Sequence, residues 1–282
     1  MERTFGSSPL ADEDYHFICK VVYDQSRIHL GKDKKTLVSS RLAKRLHHLQ
    51  LPNYGEYCRL LRSSEGSDEV RFLIDRISTN HTHFFREIRH FDFLRQTAIP
   101  QWSARLSSRR ETFRLWSAAC STGEEPFSLA IHLAEHYQPA DPAAWFIEGT
   151  DISTRVLEQA KGAIYSTEHA GAVGPELLRK YFQKGTGKWD GYFRVKESLR
   201  RCVRFHHLNL LEGKYPFVEL FHVILCRNVM IYFDKPTQED LIARLTERLA
   251  PGGYLLVGHS ESLSGIRHSL RLVQPAVYLK QA

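Results

Sequence analysis

Residues 113–126 read FRLWSAACSTGEEP. A short apolar run from Phe113 to Trp116 leads into Ser117-Ala118-Ala119 and a polar turn, Ser121-Thr122-Gly123. Glu124, Glu125 and Pro126 follow, ahead of a helical apolar pattern made by Phe127, Leu129, Ala130, Leu133 and Ala134. The pattern predicts a strand, a tight loop and a helix. Pro126 suits the first turn of that helix, where its missing N–H costs nothing. Ligands of doubly wound sheets bind at the carboxyl ends of such strands. Small residues let the backbone approach a ligand closely.

The chemistry of this loop narrows the ligand. It lacks the GxGxxG spacing, with only Gly123 present, so it is a poor pyrophosphate cradle. Two carboxylates at a helix N-terminus would repel phosphate, although that end favours anions. They suit a ligand that carries a cation. The next apolar run, Trp145-Phe146-Ile147, leads to Gly149-Thr150-Asp151. An acidic residue at the end of the second strand is the usual partner for ribose hydroxyls. A ligand with a ribose, a positive charge and no phosphate describes S-adenosylmethionine. An ordinary βαβ unit with capping carboxylates would carry the same residue types, so these two strands alone leave both readings open.

Composition sets wider bounds. The chain has 282 residues, enough for one large domain or two modest ones. It is 42% hydrophobic and 25% charged, as soluble globular proteins are. No apolar run approaches the roughly 20 residues of a membrane span. The N-terminus has no apolar signal region, so the expectation is a cytoplasmic protein without membrane insertion. Cys19, Cys58, Cys120, Cys202 and Cys226 are dispersed and form no CxxC pair, which argues against a disulfide framework or a zinc site. The histidines show no HExxH spacing, and no metal is expected. The net charge of +7 allows nucleic acid, a membrane surface or an acidic protein as partner without choosing among them.

Residues 1–95 are expected to form an all-helical N-terminal domain. Phe17, Ile18, Val21 and Val22 mark one amphipathic segment. Residues 34–50 mark a stronger one, with Val38, Leu42, Leu46 and Leu49 on one stripe. Arg41, Lys44, Arg45 and His48 share a different face. Six basic residues lie between Lys32 and Leu51 against one acid, Asp33, which accounts for most of the net charge. Such a run is either a solvated face or a docking surface for an acidic partner, here assigned to Arg41, Lys44 and Arg45. Further on, STNHTHFFREIRHF (residues 78–91) reads as a turn entering a helix with Thr82 as N-cap. Asn80 and Thr82 can donate and accept hydrogen bonds, and Arg86 can grip a carboxylate. Residues 101–112 read as a polar approach to the second domain.

The second domain, residues 96–282, alternates strands and helices. Strands are expected at 113–117, 145–149, 202–207, 221–226, 253–258 and 276–280, and helices at 126–137, 153–162 and 236–249. That alternation implies a parallel sheet covered on both faces, with the last strand an antiparallel edge. Residues 181–196 break it: Gly185, Gly187 and Gly191 between aromatic flanks read as a hairpin-like insertion, either a surface excursion or an edge that accepts an extended peptide. The buried strand Val223-Ile224-Leu225 places Arg227-Asn228 at its carboxyl end, on the same edge as Gly123, Asp151 and Asn209.

The segments TNHTHFFRE, SAACSTGEEP, TDIST, NLL, CRNVMIYFD and LAPGGYLLVGHSESL together resemble the chemotaxis receptor glutamate O-methyltransferases, the CheR family. The resemblance runs from about residue 12 to the end. It implies a class I (Rossmann-like) S-adenosylmethionine methyltransferase sheet, a helical N-terminal domain, and a small antiparallel β-subdomain inserted at about residues 165–200. It implies S-adenosylmethionine as cofactor and S-adenosylhomocysteine as product. Asn80, Thr82 and Arg86 match the family's cofactor-side motif. Glu125 matches the acid near the methionine amino group, ahead of Glu124. Asp151 matches the ribose acid, Asn209-Leu210 the pair beside the adenine, and Arg227-Asn228 the pair at the fourth strand end. Arg86 and Tyr232 match positioning groups near the reactive methyl. The implied acceptor is a glutamate on the cytoplasmic helical bundle of a chemoreceptor. Some members also tether to a receptor C-terminal pentapeptide through the β-subdomain, and Gly185, Gly187, Gly191 and Arg194 resemble their loop.

The residue types suit that chemistry. A sulfonium methyl is already activated and a carboxylate is already a nucleophile, so no Ser-His-Asp or Cys-His set is required. What is left is alignment in a water-poor crevice. Two other readings share parts of the pattern. One is a class I methyltransferase acting on RNA or another protein, although the basic helix lacks the interleaved aromatics of a single-strand groove. The other is a non-catalytic module that keeps the fold as a scaffold.

Overall fold

A computed structural model of the chain describes residues 9–107, 111–137 and 145–281. The chain divides into two compact units. One comprises the residues up to Thr79 together with Tyr232–Thr237; the other comprises Asn80–Ile231 and Gln238–Ala282.

The smaller unit is helical: α1 (Asp12–Ser26), α2 (Lys35–His48), α3 (Tyr54–Arg62) and α4 (Ser67–Ile77). Acidic Asp12, Glu13 and Asp14 occupy the first turn of α1, where the helix dipole favours them. Asn53 caps α3 by accepting from the Glu56 N–H at 3.0 Å. Val38, Leu42 and Leu46 of α2 are fully buried, as the stripe requires, and pack in a core with Ile18, Val22, Tyr57 and Leu73. One buried charge completes it. Glu69 accepts from Arg45 Nε at 3.1 Å to each oxygen and from the Tyr57 hydroxyl at 2.8 Å. The Arg45 guanidinium also lies 3.9 Å from the centre of the Phe72 ring.

Two of the expected docking trio have partners within the unit. Arg45 is committed to Glu69, because a buried carboxylate needs a paired cation. Arg41 donates to the Ile77 carbonyl at 2.5 Å and to the Thr79 hydroxyl at 3.3 Å, securing the end of α4. Lys44 alone of the three is exposed to solvent.

In the larger unit, α5 (Ile88–Phe93) continues through a π-type turn, Leu94–Ala98, into α6 (Ile99–Ser107). The parallel strands are β1 (Phe113–Ala118) and β2 (Trp145–Asp151), separated by α7 (Glu124–His136). Then come α8 (Thr154–Gly162), the short β3 (Ile164–Ser166), α9 (Thr167–Ala170), α10 (Pro175–Tyr181), β4 (Phe182–Lys184), β5 (Tyr192–Val195) and α11 (Glu197–Arg200). The main sheet resumes with β6 (Val203–His207) and β7 (Phe221–Cys226), α12 (Lys235–Arg248), β8 (Leu249–Val257), β9 (Arg271–Gln274) and β10 (Val277–Leu279). Its order is β6-β2-β1-β7-β8-β10-β9. The first five strands are parallel, and β10 is antiparallel to both β8 and β9. The central strands are buried along nearly their whole length, which explains their unbroken apolar runs.

Four expectations change here. The boundary falls at residues 79–80 rather than 95, because Phe84, Phe91, Phe93 and Leu94 are buried in the same core as Phe113, Phe127 and Leu129. No helix starts at Thr82: the chain stays irregular until α5, whose N-cap is Glu87 in the left-handed region. Residues 101–107 are helical, with Trp102 and Leu106 buried at i, i+4. The edge strand is β9, while the last strand lies inside it.

The insertion forms its own three-stranded antiparallel sheet, in the order β3-β5-β4. Gly185 is required where β4 turns, since a Cβ there would lie 2.0 Å from the Trp189 carbonyl oxygen. Arg194 projects from the central strand and is exposed, whereas Lys196 donates to the Arg179 and Lys180 carbonyls at the end of α10.

Glu69→Ala is expected to destabilise the helical unit by about 3 kcal/mol, because Arg45 and Tyr57 lose the acceptor they are packed around. Denaturant unfolding checks this: a variant within about 1 kcal/mol of the parent would show the buried charge to be dispensable.

Candidate active site

The main sheet sets the place. From β1 the chain moves outward through β2 to β6, then returns to β7 on the other side of β1 and moves outward again to β8. β1 and β7 are therefore neighbours whose connections leave in opposite directions, which opens a crevice at their carboxyl ends. Ala118 lies opposite Cys226 and Thr150 at that level.

The loop after β1 is wound tightly. Ala119, Ser121 and Gly123 all have positive φ, of 65°, 50° and 94°. Gly123 has no alternative: a Cβ would meet the Ala160 Cβ and the Tyr165 hydroxyl at 2.9 Å each. The winding aims the Ser121 N–H at Asp151 Oδ2, 2.8 Å away, while Ser153 N–H donates to Oδ1 at 2.9 Å. Asp151 is buried at the end of β2 and fixed from both sides.

The segment after Thr79 is stitched to the same loop. The Ser121 hydroxyl donates to the Asn80 carbonyl at 2.8 Å. Ser128, in the second turn of α7, accepts from the Phe85 N–H at 2.9 Å and donates to the Glu124 carbonyl at 2.6 Å. Phe84 is buried edge-on against Tyr165 and Phe182, with ring centres 4.9 and 5.7 Å away. Asn80, Thr82 and Arg86 are thus carried on a fixed irregular strip. Arg86 donates to the His81 carbonyl at 2.9 Å.

Arg227, at the end of β7, is almost fully buried and uses its whole fork. Nη1 reaches Glu125 Oε2 at 3.0 Å, Nε reaches Glu87 Oε2 at 3.1 Å, and Nη2 donates to the Arg86 carbonyl. Glu125 accepts in addition from the Ser117 hydroxyl at 2.6 Å. Burial pushes the Glu125 carboxyl above its ordinary range despite Arg227 and Ser117. For Glu87 burial acts in the same direction but is outweighed by Arg227, the His259 N–H and His90, so that carboxyl lies below its ordinary range.

The two adjacent glutamates separate cleanly. Glu124 is fully buried and accepts from Thr122 Oγ1 at 2.6 Å and from His169 Nδ1 of α9 at 3.1 Å. It ties the loop to the inserted subdomain. Glu125 faces Arg227 and the strand ends.

The remaining expected residues fall as follows. Asn209 follows β6 and accepts the Leu211 N–H on its own side chain at 3.1 Å, forming an Asx turn. Leu210 is buried, and its carbonyl accepts from the Tyr215 hydroxyl at 2.6 Å. Asn228, with φ of 59°, donates from its side chain to Glu87 at 3.4 Å. Tyr232 is not brought into this unit: it groups with the helical one, where its carbonyl accepts from the His29 N–H at 2.9 Å. The Gly-rich loop and Arg194 belong to the inserted sheet.

Two acids absent from the sequence reading prove central. Glu87 is described above. Glu261, after β8, is buried and accepts from the N–H groups of Asn228 (2.7 Å), Gly258 (2.7 Å), Met230 (2.8 Å) and Ile231 (3.3 Å). It locks the turn that carries Arg227 and Asn228. Glu87, His90 and His259 also bring one potential ligand atom each within 4.8 Å of one another. The Glu87 oxygen nearest His90 already accepts from Arg227, and that guanidinium opposes a divalent cation there.

The donor set fits an adenosyl cation: an acid fixed at the end of β2, a second acid beside the switch point, and a loop without a phosphate cradle. Fold and site together define a class I S-adenosylmethionine-dependent methyltransferase. The description of CheR methyltransferases, SAM binding domain, matches residues 80–279, and that of CheR methyltransferases, all-alpha domain, matches residues 13–78. The chain belongs to the CheR methyltransferase family. Among its relatives are proteins named chemotaxis protein methyltransferase. That of Salmonella typhimurium is 41% identical over 95% of this chain and 91% of its own length. That of Escherichia coli is 40% identical over 95% and 92%, and that of Borreliella burgdorferi 40% identical over 93% and 92%.

Gly123→Ala is expected to cost about 1–3 kcal/mol in stability through the left-handed backbone and the Ala160 clash, and to weaken S-adenosylhomocysteine by shifting the Ser121 N–H from Asp151. Unchanged affinity by calorimetry in the folded variant would uncouple loop shape from binding.

Proposed function

We propose that this protein transfers the methyl group of S-adenosylmethionine to glutamate side chains on the cytoplasmic helical bundle of chemoreceptors, giving methyl esters. The observation that carries this reading is the match to chemotaxis protein methyltransferases across both units at about 40% identity. No helix among the described residues is long and apolar enough to cross a membrane.

The bound cofactor supplies an activated methyl group on a sulfonium. The chain's own residues bind and orient. Asp151, fixed by two N–H donors, presents its carboxylate to ribose hydroxyls. Asn209 and Leu210 flank the adenine end. Glu125 receives the methionine ammonium, with Asn228 near it. Asn80, Thr82 and Arg86 line the cofactor from the strip above α7. Arg86 positions the acceptor by its cation, which attracts a glutamate carboxylate; Tyr232 is given that task by family resemblance alone. A grip that is too tight would stabilise the ground state equally, so alignment is its contribution.

Docking on the receptor is assigned to the basic face of α2, with Lys44 its exposed cation and Arg41 and Arg45 adding field more than contact. The inserted sheet offers β3 and β4 as edges on which an extended receptor pentapeptide can add. Trp189 and Tyr192 stand exposed beside the glycine turn. A tether there raises the local concentration of enzyme without touching the chemistry.

Labelled S-adenosylmethionine with purified receptor cytoplasmic domain tests the main reading. Base-labile label on receptor glutamates is expected; label on RNA, or none on either, would reject it. Asp151→Ala should reduce cofactor affinity at least about tenfold, as a charged acceptor is removed; unchanged affinity would take Asp151 out of the site. An acidic, aromatic C-terminal receptor pentapeptide should bind the wild-type enzyme and fail to bind a variant with Gly185, Gly187 and Gly191 deleted. Calorimetry with no heat for the wild type would place this enzyme among the untethered members.

A further inference from the structure

Glu87 is the acceptor on which the strand ends converge. Its Oε2 takes Arg227 Nε at 3.1 Å; its Oε1 takes the His259 N–H at 3.1 Å and Asn228 Nδ2 at 3.4 Å. It does this from a left-handed backbone, with φ of 59°, immediately after Arg86. His90 lies beside it, with Nδ1 3.4 Å away. Burial pushes His90 down to about 3, so it adds no charge near neutral pH.

The charge balance follows from these contacts. One buried guanidinium is divided between two carboxylates, Glu87 and Glu125. Within this hydrogen-bonded group two anions and one cation leave one negative charge, on which the Arg86 cation acts through space. Were Glu87 neutral, Arg227 would pair with Glu125 alone, and that charge would vanish. A cation brought to Glu125 would then face a neutral ion pair with a guanidinium 3.0 Å away.

We propose that Glu87 is a positioning residue for the cofactor, sharing Arg227 with Glu125 so that Glu125 is not fully neutralised and receives the ammonium of the methionine portion. The proposal rests on the reading of Glu125 as that acceptor. It assigns the three groups distinct work. Glu125 contacts the ligand, Arg227 holds Glu125 in place, and Glu87 sets how much of Glu125 is neutralised. Burial raises the Glu125 carboxyl and the charge on Glu87 adds to that rise, whereas Arg227 leads the groups that hold the Glu87 carboxyl low against burial.

The test is calorimetry with two ligands on the full chain: S-adenosylhomocysteine, which carries the ammonium, and methylthioadenosine, which has the nucleoside without it. Glu87→Gln should weaken S-adenosylhomocysteine about tenfold and methylthioadenosine by no more than about twofold. Equal losses for both ligands, or no loss for either, would overturn the proposal. Glu87→Asp separates charge from packing. Gln keeps the length and loses the charge; Asp does the reverse. A charge effect ranks Asp above Gln in S-adenosylhomocysteine affinity, and the opposite ranking would overturn it. Glu125→Gln tests the underlying reading separately. If it weakens both ligands equally, Glu125 is not the ammonium acceptor and both statements fall. If it discriminates between them while Glu87→Gln does not, only the role of Glu87 falls.

Discussion

A buried guanidinium shared between two carboxylates holds the catalytic end of the sheet together. Arg227 would be costly to bury alone, and its three donor positions are satisfied by two distant parts of the chain. Glu125 brings the start of α7 and, through Ser117, the end of β1. Glu87 and the Arg86 carbonyl bring the strip that follows the helical unit. Asn228 and His259 meet on Glu87, so the turns after β7 and β8 are drawn in as well. Arg227 is more than a hundred positions from Arg86, Glu87 and Glu125 in sequence. Their convergence draws the ends of β1, β7 and β8 together.

The sheet makes that convergence possible. Because β1 and β7 are adjacent and their connections diverge, a crevice opens at their carboxyl ends. Polar side chains placed there can be partly dehydrated without being stranded. Asp151 shows the principle on the other flank: two backbone N–H donors from its own and the neighbouring turn fix the carboxylate before any ligand arrives. Fixing donors and acceptors beforehand lowers the ordering cost of binding. It is also the contribution left to the protein when the methyl group is already activated and the acceptor is already a nucleophile.

How much of this was legible depended on range. The central strands were, because burial on both faces writes an uninterrupted apolar run such as Val223-Ile224-Leu225. α2 was, because Val38, Leu42 and Leu46 keep a helical period. β3 and β9 were not: they have three and four residues and are only partly buried, so no period develops. α6 was hidden by the polar residues around Trp102 and Leu106, whose spacing alone carried the signal. The left-handed conformations at Phe85 and Glu87 suppressed the helix that Thr82 suggested. Charged residues were hardest. A sequence shows that Arg45 is basic but not that Glu69 lies across from it, and it shows Glu87 beside Arg86 but not that Arg227, 140 residues on, needs it. Family resemblance supplied the groups assigned to the ligand; the groups that hold them had to be seen in space.

The adjacent pair Glu124-Glu125 shows why both kinds of information are needed. Neighbours at a helix N-terminus point about 100° apart, so one turn can serve two sites. Glu124 turns into the protein, where Thr122 and His169 take its oxygens and bind the loop to the inserted subdomain. Glu125 turns toward the crevice and Arg227. Both benefit from the same helix dipole. What separates them is surroundings rather than charge: Glu124 is fully buried against a hydroxyl and an imidazole, whereas Glu125 shares the Arg227 guanidinium with Glu87. The number of acids in the motif therefore does not say which carboxylate lies beside the strand ends; the packing around each does.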